Sequence, residues 1–99
     1  MAFHAAKTII SIVAQGENLT AGGTQTWVWN NAPKNVVYAL SARPIDGQNN
    51  PSLQNRVEIR NVRALSTGSP DTMKVYYDVH NWGSTWCDYW VIMSQIQFA

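Results

Sequence analysis

Cysteine occurs once in this 99-residue chain, at Cys87, so no internal disulfide can form. That suits a reducing compartment, and it suits equally a secreted protein that needs no bridges. Charge is scarce as well. Asp, Glu, Lys and Arg make up 13% of the residues, against roughly 25% in an ordinary globular protein. Solubility must then rest on Asn, Gln, Ser and Thr. A surface so thin in charge has little to repel a second copy of itself, which favours a homo-oligomer. The seven basic residues are scattered, and the nearest approach to a cluster is Arg56, Arg60 and Arg63. This is not the footprint of a protein that grips a phosphate backbone, so no nucleic-acid partner is expected.

Long apolar runs are missing too, which excludes a helical membrane span. The opening "MAFHAAKTIISIVAQGE" has too short an apolar stretch and no cleavage region for a secretory signal. The expectation is a chain that stays inside the cell, or one whose leader lies outside this sequence. Asn18-Leu19-Thr20 forms a glycosylation triplet, of use only in eukaryotic secretion. No paired-carboxylate, triad or metal-ligand spacing is present, so neither enzymatic activity nor a cofactor is expected.

What is present is β-rich. Apolar residues alternate in short runs separated by turn chemistry, and no helical stripe of useful length occurs. The runs are Lys7 to Gln15, Thr24 to Asn30, Val36 to Ala42, Arg56 to Leu65, Thr72 to His80 and Thr85 to Phe98. Trp27 and Trp29 point one way, Thr26 and Val28 the other. The apolar phase of the fourth run shifts near Asn61, which marks a bulge. "NNAPK", "PIDGQNNPSLQ" with its Asp46-Gly47 pair, "STGSPD" and "NWGS" break the runs. Six or seven short strands predict one all-β domain over residues 1–99, an antiparallel β-sandwich.

The stretch Val79 to Met93 concentrates three of the five tryptophans, the cysteine and one of two histidines. Four residues, Asn81 to Ser84, separate the last two runs, and that spacing predicts a hairpin. In the fifth run Met73, Val75, Tyr77 and Val79 share the core face, opposite Lys74, Tyr76, Asp78 and His80. In the sixth, Cys87, Tyr89, Val91 and Met93 are placed inward, because the alternative would bury Asp88. Gln95 and Gln97 continue that inward set, which calls for a phase shift or an exposed strand end.

The segment from Val57 to Met93 resembles the bacterial immunoglobulin-like modules of the CARDB kind. Their pattern is a strand, Asn-x-Gly, a small inward residue and an aromatic-led strand, positions that Val79, Asn81, Gly83, Cys87 and Tyr89 or Trp90 fill. The resemblance implies an immunoglobulin-like β-sandwich and a secreted or surface-attached binding module without catalytic residues.

The outward face of the expected hairpin carries Tyr76, Asp78, His80, Trp86, Asp88 and Trp90, with Trp82 at the turn. Aromatic rings lie flat on the apolar face of a sugar, and carboxylates accept its hydroxyl hydrogens. These seven residues are therefore the candidate ligand site of a lectin-like, non-enzymatic module whose partner is a carbohydrate. The alternative is a structural homo-oligomer in which the same aromatic faces are subunit contacts, or in which the tryptophans are core. Trp27 and Trp29 read as core or interface. Asp78, His80 and Asp88 could meet around a metal, but a solvated polar strip is the plainer reading. Cys87 reads as a small buried hydrophobe, on the opposite strand face from His80.

Overall fold

The computed structural model describes residues 5–45 and 56–98. The six β-rich runs become six strands, β1 (Ala5–Leu19), β2 (Thr24–Pro33), β3 (Val36–Pro44), β4 (Val57–Ser66), β5 (Thr72–Asn81) and β6 (Cys87–Phe98). The described residues include no helix. The Asp46-Gly47 turn expected from sequence lies outside the described residues. The strands form two three-stranded sheets, one ordered β1-β6-β3 and the other β2-β5-β4. Every pairing is antiparallel. Among the described strands only β4 and β5 form a hairpin within one sheet; the other consecutive strands lie in opposite sheets.

The expected hairpin of the last two strands is therefore not formed. β5 is the centre of one sheet and β6 the centre of the other. Asn81 is the reason. It is fully buried, and its side-chain amide donates to the carbonyls of Leu19 and Thr85, each at 2.9 Å. Its side-chain oxygen accepts from the Gly83 N–H at 2.8 Å. Its main chain pairs with the Gly22–Gly23 turn instead of with β6. A buried amide whose groups are all engaged holds the chain in an arch. The same four-residue spacing that suits a hairpin thus serves a crossing between sheets.

The faces of the central strands fall as their alternation predicts. Val75, Tyr77 and Val79 on β5 meet Cys87, Tyr89, Val91 and Met93 on β6 between the sheets, all buried. Gln95 and Gln97 are half-buried, and β6 pairs with β3 without a register shift to its end, so they mark a strand end rather than a phase change. Ala14 and Leu19 of β1 complete the cluster, with Trp27, Leu40, Ala42, Val57 and Ile59 packed at its margin. Trp29 meets Tyr38 of the facing sheet edge-on at 5.7 Å. Trp27 and Trp29 thus serve the core.

Three register shifts each contain an asparagine in the left-handed region: Asn18 between Gly16 and Leu19, Asn31 between Trp29 and Ala32, and Asn61 between Arg60 and Arg63. Asparagine tolerates positive φ better than other residues with a Cβ. The Asn61 shift is the bulge expected from the fourth run.

Tyr89 ties the sheets together. Its hydroxyl accepts the Trp27 indole N–H at 2.7 Å and donates to the Gln25 side-chain oxygen, both on β2. Its ring covers Gly16 on β1 so closely that a Cβ built there would overlap it. Burial raises the Tyr89 hydroxyl above its usual value, and pushes that of Tyr77 up to about 12. Gly16→Ala is expected to displace the Tyr89 ring and destabilise the fold by about 3 kcal/mol, as overpacking a tight contact does. Urea unfolding followed by tryptophan fluorescence checks this, and an unchanged midpoint would count against the contact.

Candidate functional site

The arch divides the seven candidate residues between opposite outer faces. Tyr76, Asp78 and His80 stand on the outer face of the β2-β5-β4 sheet, with Trp82 just beyond the end of β5. Asp88 and Trp90 belong to the other sheet, with Trp86 directly before β6, and a single platform of all seven does not exist. The physical cause is the sheet-to-sheet crossing at Asn81 to Thr85. Asp78 and His80 are likewise separated from Asp88, and no group of three metal-ligating side chains occurs among the described residues. Cys87 lies in the core and His80 on an outer face.

On the β2-β5-β4 sheet the register builds rows. Thr24, His80 and Glu58 form one; Thr26, Asp78 and Arg60 the next; Val28, Tyr76 and Arg63 the third. Asp78 accepts from the Thr26 hydroxyl at 2.8 Å and from the Asn61 amide at 3.0 Å. Arg63 lies 3.5 Å away. The Asn61 and Thr26 hydrogen bonds hold the Asp78 carboxyl below the usual carboxylate range, against the smaller opposing effect of burial. Arg63 donates to the Asn61 carbonyl at 2.7 Å and stacks on Tyr76. A shallow concavity of about 500 Å³ opens here, lined by Asn61, Val62, Arg63 and Asp78.

One row on, His80 Nδ1 lies 2.8 Å from the Thr24 hydroxyl and 3.2 Å from an Arg60 Nη. A guanidinium can only donate, so Nδ1 accepts and the neutral ring carries its proton on Nε2. Trp82 packs edge-on against His80 at 4.4 Å, with Arg60 over its ring at 5.5 Å. His80 is thereby buried, while Trp82 remains 54% exposed. The Arg60 Nε has no hydrogen-bond acceptor and lies 3.7 Å from Glu58.

The opposite face is apolar toward its Ile10–Ile96 end, with Arg43 and Asp88 toward the other. Cross-strand pairing sets Ile10 beside Ser94, Ile12 beside Ile92, and Ile96 between Thr8 and Val37. Ile10 is 72% exposed and Val37 60%. Trp90 sits half-buried between Gln15 and Arg43, and Trp86 is 45% exposed. Asp88 accepts from the Asn18 main-chain N–H at 2.8 Å, so it fastens the end of β1.

Sequence reasoning missed Arg60, Arg63, Asn61, Thr24 and Thr26 as members of the polar face. The signal was the Arg56–Arg60–Arg63 grouping read together with the bulge at Asn61, which keeps both later arginines on one side. Compared with protein-family models, curated proteins and solved structures, the chain matches none.

Asp78 gives a pH test. Its folded value is lowered, so its contribution to stability is present above the unfolded value of about 3.9 and is lost as pH falls through the folded value. Asp78→Asn should cost roughly 1–2 kcal/mol at neutral pH, as loss of charge-assisted hydrogen bonds does. Urea midpoints of the variant should also fall less steeply below pH 4 than those of the parent.

Proposed function

We propose that this chain is a non-enzymatic, lectin-like binding module that takes a glycan on the outer face of the β2-β5-β4 sheet. The observation that carries the reading is the half-exposed Trp82 indole at one end of an ordered hydrogen-bonding strip running through His80, Asp78 and Tyr76. An indole held by neighbours offers contact area with little further loss of conformational freedom. The strip beside it is already arranged by side-chain hydrogen bonds, so little ordering remains to oppose binding. Such a shallow surface covers only part of its ligand, and monovalent affinity is weak.

An immunoglobulin-like kinship with bacterial binding modules fits the strand order. β2, β5 and β4 follow the B-E-D arrangement of that fold, β3 and β6 follow C-F, and β1 lies beside β6 where strand G would stand. The arch from β5 to β6 then corresponds to the E-to-F crossing.

A second reading rests on the other face. Ile10, Ile12, Val37 and Ile96 are large, exposed and neighbours on one sheet. Contiguous apolar surface of this kind serves as a contact, and a second copy is the partner we assign to it. The two readings use opposite faces and coexist.

Trp82→Ala is expected to abolish the NMR shift changes produced by an oligosaccharide panel while leaving the far-ultraviolet circular dichroism intact. Trp86→Ala and Trp90→Ala, on the far side, should leave those shifts in place. No response of the parent protein to any sugar removes the lectin reading. For the second reading, light scattering at high micromolar concentration should give more than the monomer mass, and Ile12→Lys should restore the monomer. A monomeric parent protein refutes it.

A further inference from the structure

We infer that the ligand of the polar face is an acidic oligosaccharide, one bearing carboxylate or sulfate groups. The inference rests on the lectin reading above and names its substrate class. Four of the seven basic residues lie along this face: Arg56 beside Trp82, then Arg60, Arg63 and Lys74. Glu58 and Asp78 are the acidic residues among them. The strip is thus net positive by two, although the whole chain carries only +1. From Trp82 to Lys74 it extends roughly 26 Å at the usual strand rise, the proportions of an extended chain rather than of a single sugar.

The hydrogen-bonding capacity left open is mostly that of donors, with Glu58, 45% exposed, the carboxylate of the strip that still faces solvent. Both Asp78 oxygens already accept from protein groups, and Arg63 stands against them. Asp88, the other carboxylate expected to orient a sugar, is on the far sheet and engaged with Asn18. The two guanidiniums lean on aromatic rings, and both side chains are partly exposed. Arg63 gives one N–H to the Asn61 carbonyl, and its side chain is 45% exposed. Lys74 is exposed at the end of the strip. A face with four basic residues against two carboxylates favours anionic acceptors, and guanidinium favours planar or tetrahedral oxyanions.

Single-stranded nucleic acid also offers oxyanions, but it binds by stacking successive bases on open rings. Here Arg63 covers Tyr76, and His80 is buried beneath its neighbours. Trp82 is the exposed indole at the end of the strip, and Thr24, Thr26 and Asn61 supply hydroxyl and amide groups further along it. That combination suits a sugar ring followed by charged substituents.

The test titrates the full chain with four probes of similar length: a galacturonate tetrasaccharide, a chondroitin sulfate tetrasaccharide, cellotetraose and an oligothymidylate. Carboxylate and sulfate are separated by the first two. The expected result is binding of one or both acidic sugars, about tenfold weaker binding of cellotetraose, and loss of acidic-sugar affinity on raising salt as charged contacts are screened. Arg63→Gln should weaken the acidic sugar by about tenfold, the worth of one charge-assisted contact. Lys74→Gln, at an exposed position, should weaken it by a smaller factor with the fold unchanged. Equal, salt-independent binding of cellotetraose overturns the acidic assignment and leaves the lectin reading standing. Tighter binding of oligothymidylate overturns the assignment in favour of nucleic acid. Failure of every probe overturns both.

Discussion

The sandwich depends on one side chain that belongs to one sheet and is hydrogen-bonded in the other. Tyr89 starts from the centre of the β1-β6-β3 sheet, lies over Gly16 of the neighbouring strand, and ends between Trp27 and Gln25 of β2. Burying a phenol without partners would cost more than its ring contributes; with both an indole donor and an amide acceptor, the hydroxyl is satisfied inside the core. The glycine is the complementary part. A side chain at position 16 would hold the ring away from β1, and the hydroxyl would then miss its partners on β2. Position of the two sheets relative to each other is set by this reach.

Asn81 plays the corresponding part for the connection. Its amide and main chain tie the end of β1, the Gly22–Gly23 turn and the start of the path to β6 into one knot of hydrogen bonds. Because that knot sits where β5 leaves its sheet, the residues after it cross to the opposite sheet. The consequence reaches the surface. Side chains that follow one another in sequence, Trp82 and Trp86, are delivered to different faces. One ends against His80 and Arg60, the other stands exposed just before β6.

Local periodicity was enough to read most of the fold. All six strands, the inward sets of β5 and β6, the core role of Trp27 and Trp29, and the bulge at Asn61 follow from alternation and its interruptions. Alternation is local, and it tells on which side of its own strand a residue lies. It does not tell which strand lies alongside. The hairpin reading failed for that reason, since Asn81-Trp82-Gly83-Ser84 has turn chemistry that serves either a hairpin or an arch. What separates the two is the burial of Asn81, a long-range property. The placement of all seven candidates on one face departs for the same reason: Tyr76, Asp78, His80 and Trp82 share a face because three belong to one strand and the fourth follows it directly. Trp86, Asp88 and Trp90 were joined to them only by the pairing that does not occur. The arginines were overlooked because spacing alone spreads Arg60 and Arg63 over both faces, until the bulge restores them to one.

The separation of faces has a consequence for how the two proposed roles combine. Charge is scarce in this chain, and it is not evenly spread. The β2-β5-β4 face collects Arg56, Arg60, Arg63 and Lys74, whereas the paired positions around Ile10, Ile12, Ile92 and Ile96 carry none. A surface without charge meets its own copy without repulsion, and a surface with an excess of positive charge does not. If two copies meet, the physics directs them to the apolar sheet, and both polar faces then point outward. Under the proposed reading, two weak sites on one rigid particle would engage a repeating polysaccharide together, with an effective concentration that a free monomer lacks. The weak binding proposed for a single shallow strip and the self-contact proposed for the apolar back would thus be complementary, each supplying what the other lacks.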